Sequence, residues 1–217
     1  MKSDGELRRD IEQELDWDPR FDARDVGVAV KEGIVTLSGH VSSYAERWAA
    51  QDAAQTVGGV RAVANEIQVK LPTESECSDT EIAEAALAAL RLNMSVPVAD
   101  LQLVVHDGWV TVSGQVAFWY QRQAAESTIR HIRGVRGIAN DISVKAPVTT
   151  DDVKTRIENA FRRHAQLDAE KIRVQVSGGT VTLEGEVQCW LDREEAESAV
   201  WAAPGVTSVR DHLIVRP

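Results

Sequence analysis

The densest group of chemistry-bearing side chains is the stretch AFWYQRQAAESTIRHIRGVR, Ala117 to Arg136. Arg122, Arg130, Arg133 and Arg136 stand there against one acid, Glu126, so the segment carries +3 in a protein of net charge −10. On a helix, positions 122, 126, 130 and 133 fall along one stripe. Phe118, Trp119 and Tyr120 precede that stripe. Three adjacent aromatics cannot all enter one core, so at least one is expected to face water. Guanidinium groups beside an aromatic anchor are the chemistry of an anionic lipid interface. The same pairing serves protein–protein hot spots. The candidate lipid or partner surface is therefore Phe118, Trp119, Tyr120, Arg122, Arg130 and Arg133, with the three arginines expected on one exposed stripe.

Catalytic chemistry finds no footing elsewhere. His40, His106, His131, His164 and His212 form no HxxxH or HExxH pair, so no metal is expected. The serine of LSGH (Leu37–His40) lies within a strand pattern, not at a nucleophile elbow. VGGV (Val57–Val60) has neither the lysine nor the spacing of a phosphate-binding loop. Cys77 and Cys189 are far apart and fit no CxxC pattern, which points to neither a disulfide framework nor a zinc site. No catalytic residue and no cofactor is assigned. The expectation is a non-enzymatic binding protein.

Charge narrows the partners. Residues 1–72, 73–147 and 148–217 carry net charges of −4, −3 and −3, so none is a basic module. Nucleic-acid affinity comes mostly from neutralising phosphates, which excludes nucleic acid as the expected partner. The composition is 43% hydrophobic and 27% charged, enough for packed cores over 217 residues. No run of eighteen apolar residues is present, which excludes a spanning helix. The opening MKSDGELRRDIEQELDWDP lacks the apolar stretch of a secretory signal. The expected location is the cytoplasm, or the periplasm if an export signal preceded this chain.

The elements that must position these side chains are written three times. GIVTLSGHV (Gly33–Val41) returns as GWVTVSGQV (Gly108–Val116) and GTVTLEGEV (Gly179–Val187), at shifts of 75 and then 71 residues. The same shifts lay GVRAVANEIQVK (Gly59–Lys70) on GVRGIANDISVK (Gly134–Lys145) and GVTSVRDHLIVR (Gly205–Arg216). Ser3-x-x-Glu6, Ser78-x-x-Glu81 and Thr149-x-x-Asp152 read as helix caps. Leu7, Ile11, Leu15 and their counterparts Ile82, Ala86, Leu90 and Val153, Ile157, Phe161 mark one helical face. Alternating residues such as Val26, Val28, Val30, then a glycine-bearing turn, then a second alternating run, predict a hairpin. A second helix starts near Ser43 and ends at a glycine, Gly59, Gly134 or Gly205, where a left-handed cap is expected.

This predicts three tandem αββαβ domains of α+β class, at 1–72, 73–147 and 148–217. Each is a small mixed three-stranded sheet with two helices on one face, and its second strand is central. Gly39, Gly114 and Gly185 are expected to face inward, letting a helix approach the sheet. Arg47, Arg122 and Arg193 recur three residues after Tyr44, Trp119 and Trp190. An arginine stem over an aromatic with a surface ion pair explains them, and a shared recognition edge is the alternative. Asn65, Asn140 and Asp211 are expected to precede strand three and to bond locally to backbone.

The line G-x-V-x-L-x-G-x-V, an alanine-rich helix, then G-V-x-x-V-x-N-x-I-x-V, resembles the BON domain family, of bacterial osmotic-stress and nodulation proteins. The resemblance covers essentially the whole chain, with Arg210–Asp211 replacing Ala-Asn in the third copy. It implies non-enzymatic modules, often exported, that bind phospholipid surfaces or envelope partners during stress, with some relatives linked to potassium sensing. The expected function is thus stress-associated binding by three such domains. An oligomeric scaffold assembled through exposed sheet edges, or an ion-sensing protein, stands as the alternative.

Overall fold

The computed structural model of the chain describes residues 2–145, 153–163 and 171–216. The Thr149–Asp152 cap and His164 lie outside the described residues. The first repeat runs α1 (Asp4–Trp17), β1 (Val26–Lys31), β2 (Ile34–Val41), α2 (Tyr44–Thr56), then a strand in two pieces, β3 (Ala62–Asn65) and β4 (Gln68–Val69). The second runs α3 (Asp79–Leu92), β5 (Leu101–His106), β6 (Trp109–Val116), α4 (Trp119–Arg130) and β7 (Gly137–Val144). The third runs α5 (Val153–Arg163), β8 (Ile172–Ser177), β9 (Thr180–Val187), α6 (Trp190–Trp201) and β10 (Ser208–Val215). The order αββαβ therefore holds in all three.

In each sheet the second strand is central. β1 is antiparallel to β2, which is parallel to β3 and β4. The orders β5-β6-β7 and β10-β9-β8 repeat this arrangement. The hairpins close on two residues, Glu32-Gly33 and Asp107-Gly108, all with positive φ. That backbone matches the right-handed twist of the strands on either side. The helical trios are buried as their spacing requires: Leu7, Ile11, Leu15; Ile82, Ala86, Leu90; Val153, Ile157, Phe161. In the second repeat Ile82 and Leu90 pack with Val110, Val112, Ala125, Ile129 and Ile142 into one apolar core.

Capping begins as the sequence indicates. Ser3 and Ser78 each accept from the N–H of the glutamate three residues on, and that glutamate accepts from the cap's own N–H. Asp4 and Asp79, one residue further in, do something the pattern does not announce. The Asp79 carboxylate accepts the N–H groups of Asp107 and Gly108, both at 2.9 Å. Asp4 accepts from Glu32 and Gly33 in the same way. Each first helix is thereby clamped to its own hairpin turn.

Two expectations about glycine need correction. Gly39, Gly114 and Gly185 do not face a helix. A Cβ on them would meet the carbonyl oxygen of Asp25, Asp100 or Lys171 at 2.0, 2.2 and 2.0 Å, where the first strand begins. Their φ values of +109°, +135° and +138° turn this backbone toward the neighbouring strand. Glycine is thus required by strand-to-strand approach at a positive φ. Gly59, Gly134 and Gly205 do have positive φ. They lie three or four residues beyond the helix ends at Thr56, Arg130 and Trp201, so they shape the turn into the last strand.

By internal contacts the chain separates into two compact units that do not follow the repeats. One consists of His40–Trp48 and Gln68–Lys145, joining the start of α2 to the second repeat. The other described residues form the second unit.

Candidate functional site

The corner between β6 and α4 is held by a polar cap. The Gln121 side-chain oxygen accepts from the N–H groups of Ala117 and Phe118, both at 3.0 Å. Glu46 accepts from the Ser42 N–H, and Asp192 from the Gln188 N–H, at the equivalent corners. This threefold cap was not singled out in the sequence because its members differ in type: Glu, Gln and Asp. It fixes where the aromatics point. Phe118 and Tyr120 are 47% and 55% exposed, and they stack with ring centroids 5.7 Å apart. Trp119 turns inward, half-buried, beneath the Arg122 guanidinium at 4.6 Å.

The single exposed arginine stripe is corrected by the structure. Arg122 donates to the Asn140 carbonyl at 2.8 Å as well as lying over Trp119. The Arg130 side chain is only 12% exposed. Its guanidinium lies 3.6 Å from the centre of the Trp48 ring and 3.6 Å from Glu126 Oε1. Arg133 is exposed, as is Arg136. α4 ends at Arg130, so Arg133, three residues further on, does not continue a helical stripe, and Trp48 covers Arg130. Tyr44 accompanies Trp48, one helical turn away, and packs against the second repeat's core. Burial first, and then the Glu126 charge, push the Tyr44 phenol above its ordinary value.

The shared arginine proves structural in two repeats. Arg193 covers Trp190 at 4.8 Å, as Arg122 covers Trp119. Asn65, Asn140 and Asp211 complete the arrangement, and they lie within or at the end of the last strand, not ahead of it. Each side chain accepts from the N–H two residues on, Ile67, Ile142 or Leu213. Each also reaches helix two: Asn65 to Gln51, Asn140 to Glu126, and Asp211 to Arg193. These contacts latch the last strand to helix two.

Further exposed apolar side chains lie outside the stretch Ala117–Arg136. On the open face of the second sheet, Val104 is 63% and Trp109 51% exposed. Trp109 lies over Gly137, whose missing Cβ would stand 2.4 Å from the indole. Trp17, Leu92 and Met94 are also uncovered, at or just beyond the ends of first helices. Among the described residues, Asp79, His106 and Asp107 bring metal-ligating atoms within 4.8 Å of one another. The Asp79 carboxylate there already serves the hairpin N–H groups. No helix among the described residues is long and apolar enough to cross a membrane.

The repeated phrases coincide with three matches to one family, the BON domain, at residues 3–70, 78–146 and 149–217. The chain belongs to the BON domain family. It is similar to osmotically-inducible protein Y of Escherichia coli strain K12, with 31% identity over 125 residues. That match covers 56% of this chain and 62% of the relative, so it spans about three fifths of the relative's length. Structural comparison matches CdsD, a structural protein of the type III secretion system of Chlamydia trachomatis. Identity is 15% and the TM-score 0.28, over 97% of this chain and 92% of that one. A second structure, the CdsD C-terminal domain, matches at 15% identity and a TM-score of 0.28, with both chains fully covered. Superposition this weak supports no functional inference.

Proposed function

We propose that this chain is a non-enzymatic, stress-associated binding protein whose second BON domain meets anionic phospholipid surfaces. The observation that carries the reading is the stacked, half-exposed pair of Phe118 and Tyr120 at the start of α4. An apolar pair kept in water by a rigid corner is costly unless something covers it. Arg133 and Arg136 lie beyond the far end of the same helix, exposed and able to meet phosphate headgroups. The stress context is carried over from the Escherichia coli relative, an osmotically-inducible protein. The non-enzymatic reading rests on family membership and on how the polar side chains are used. Asn140, Arg193, Asp79 and Gln121 all hold the fold together.

Flotation of the 217-residue chain with vesicles tests this. Protein should rise with phosphatidylglycerol–phosphatidylcholine vesicles at low salt and stay down with phosphatidylcholine alone. Added salt should release it, because exposed charges are screened within about 10 Å at 0.1 M. Protein that ignores the anionic vesicles at low salt overturns the proposal. A second reading, a homo-oligomeric scaffold, draws on Val104 and Trp109, which leave an apolar open face on the second sheet. Light scattering in which mass rises with concentration would favour it.

A further inference from the structure

A groove between the first and second helices of a domain occurs in both the first and the third repeat, with opposite chemistry. The two repeat shifts together carry Asp10, Glu14 and Trp17 of α1 onto Arg156, Ala160 and Arg163 of α5. They also carry Thr56 and Val57, at the end of α2, onto Ala202 and Ala203, at the end of α6. These residues line grooves of about 510 Å³ in the first domain and about 290 Å³ in the third. At the first groove Trp17 is 83% exposed. Lys2 pairs with Asp10 at 2.6 Å, but Glu14 has no ion-pair partner among the described residues. At the third groove Arg156 and Arg163 are exposed and likewise have none among the described residues. Glu158, the acid between them on α5, is taken by Lys154 at 3.7 Å. The two arginines stand two turns apart on one face of the helix. Ala160, Ala199, Ala202 and Ala203 give the groove beside them an apolar wall. The second domain has Ala85, Ala89 and Leu92 in place of the charged and aromatic residues of α1.

We propose that the first-domain groove of one chain docks on the third-domain groove of a second copy, with Trp17 seated against the alanines and Arg156 and Arg163 beside it. Complementarity selects this occupant. An uncovered indole with a carboxylate one turn before it calls for an apolar slot edged by cations. The third groove supplies both, and its small residues leave room for an aromatic ring. Pairing two third-domain grooves instead would set arginine against arginine. The contact joins unlike faces, so every chain in it keeps one face of each kind open. Association therefore runs head to tail, into rings or open chains, and does not stop at a symmetric dimer. One ring in one groove is a small contact, so the association is weak and transient. The surface is separate from Phe118 and Tyr120 and does not rest on the lipid reading.

Light scattering by the 217-residue chain at concentrations up to about 1 mM tests the proposal without vesicles. Wild-type mass should rise past two chains. Trp17→Ser with Glu14→Gln, and separately Arg156→Gln with Arg163→Gln, should each weaken association at least about thirtyfold, the loss of one hot-spot residue. The first variant keeps only its third-domain face and the second only its first-domain face. Their equimolar mixture should therefore form pairs and go no further. Arg91→Gln with Arg173→Gln makes the same charge change at exposed positions elsewhere and should associate like the wild type. All of these positions are at the surface, and circular dichroism should match the wild type throughout. Wild-type mass that stays at one chain overturns the proposal, as does a mixture of the two groove variants that forms no pairs. Association that survives both groove variants but is lost in Val104→Ser with Trp109→Ser also overturns it and moves the contact to the open sheet face.

Discussion

Asn140 in the second domain and Asp211 in the third occupy the same place, each opposite the central-strand residue at one register, Val112 and Leu183. They hold helix two by different means. The Asn140 amide donates to Glu126 at 3.0 Å, and Arg122 bonds to the Asn140 backbone carbonyl instead. The Asp211 carboxylate takes the arginine directly, with Arg193 Nε at 2.5 Å. Glu197, at the position of Glu126, turns to the Trp201 indole N–H at 3.2 Å. Changing an amide to an acid swaps which partner is bonded, yet the latch survives. A device that tolerates rewiring in this way maintains the fold. By contrast, Phe118, Tyr120, Trp48 and Arg130 are each found in one repeat only.

The hardest way to break what the repeats share is the strand-approach glycine. Gly114→Leu combines a disfavoured φ with a Cβ pressed on the Asp100 carbonyl, for a loss of about 4 kcal/mol in urea denaturation. Gly5→Ala, within α1 and with nothing near its Cβ, should instead stabilise by about 0.5 kcal/mol. Similar behaviour of the two variants would contradict the assignment.

The latch comparison sharpens next. Asp211→Asn removes a charge-assisted bond to Arg193 while Glu197 stays engaged with Trp201, a loss of about 2 kcal/mol. Asn140→Asp should cost under about 1 kcal/mol, because Arg122 stands where Arg193 stands in the third domain. Denaturation midpoints in the reverse order would show that the two latches are not interchangeable. A smaller effect belongs to the clamp between first helix and hairpin. Asp79→Ala should cost about 1 kcal/mol and speed amide exchange at Asp107 and Gly108. Unchanged exchange there would remove the clamp from the account.

Much of this was legible in the sequence. Period-two alternation, helical spacing of four and the threefold phrase require the αββαβ order and a central second strand. The direction of Gly39 was not, because alternation assumes an extended backbone and a φ of +109° departs from it. For the candidate surface, three adjacent aromatics implied that one must face water, and Phe118 and Tyr120 do. The fate of Arg130 was hidden, since Trp48 lies 82 residues away in another repeat. The hairpin clamp was hidden for a similar reason: Asp79 looks like an ordinary first-turn acid until Asp107 and Gly108 are brought to it.

The smallest effect expected is acid sensitivity at the capping boxes. Bonds from the Ser3 and Ser78 N–H groups, then from their hydroxyls, hold the Glu6 and Glu81 carboxyls below the ordinary 4.5. The folded state therefore binds fewer protons than the unfolded state. The stabilisation is present above pH 4.5 and is lost as pH falls through the lowered values. Glu6→Gln with Glu81→Gln should flatten that part of a stability–pH curve. A curve with unchanged slope would show that the caps hold little in solution.

The central claim, that the three domains share a fold but only the second carries the binding surface, is tested most directly by vesicle affinity across equivalent corners. Phe118→Ser with Tyr120→Ser should weaken binding to phosphatidylglycerol–phosphatidylcholine vesicles by about a hundredfold, the loss expected for two buried apolar anchors. Cys189→Ser with Leu191→Ser, the same positions in the third domain, should change it less than about twofold. Both variants should keep the wild-type circular dichroism. Equal losses at the two corners, or none at the first, would contradict the claim.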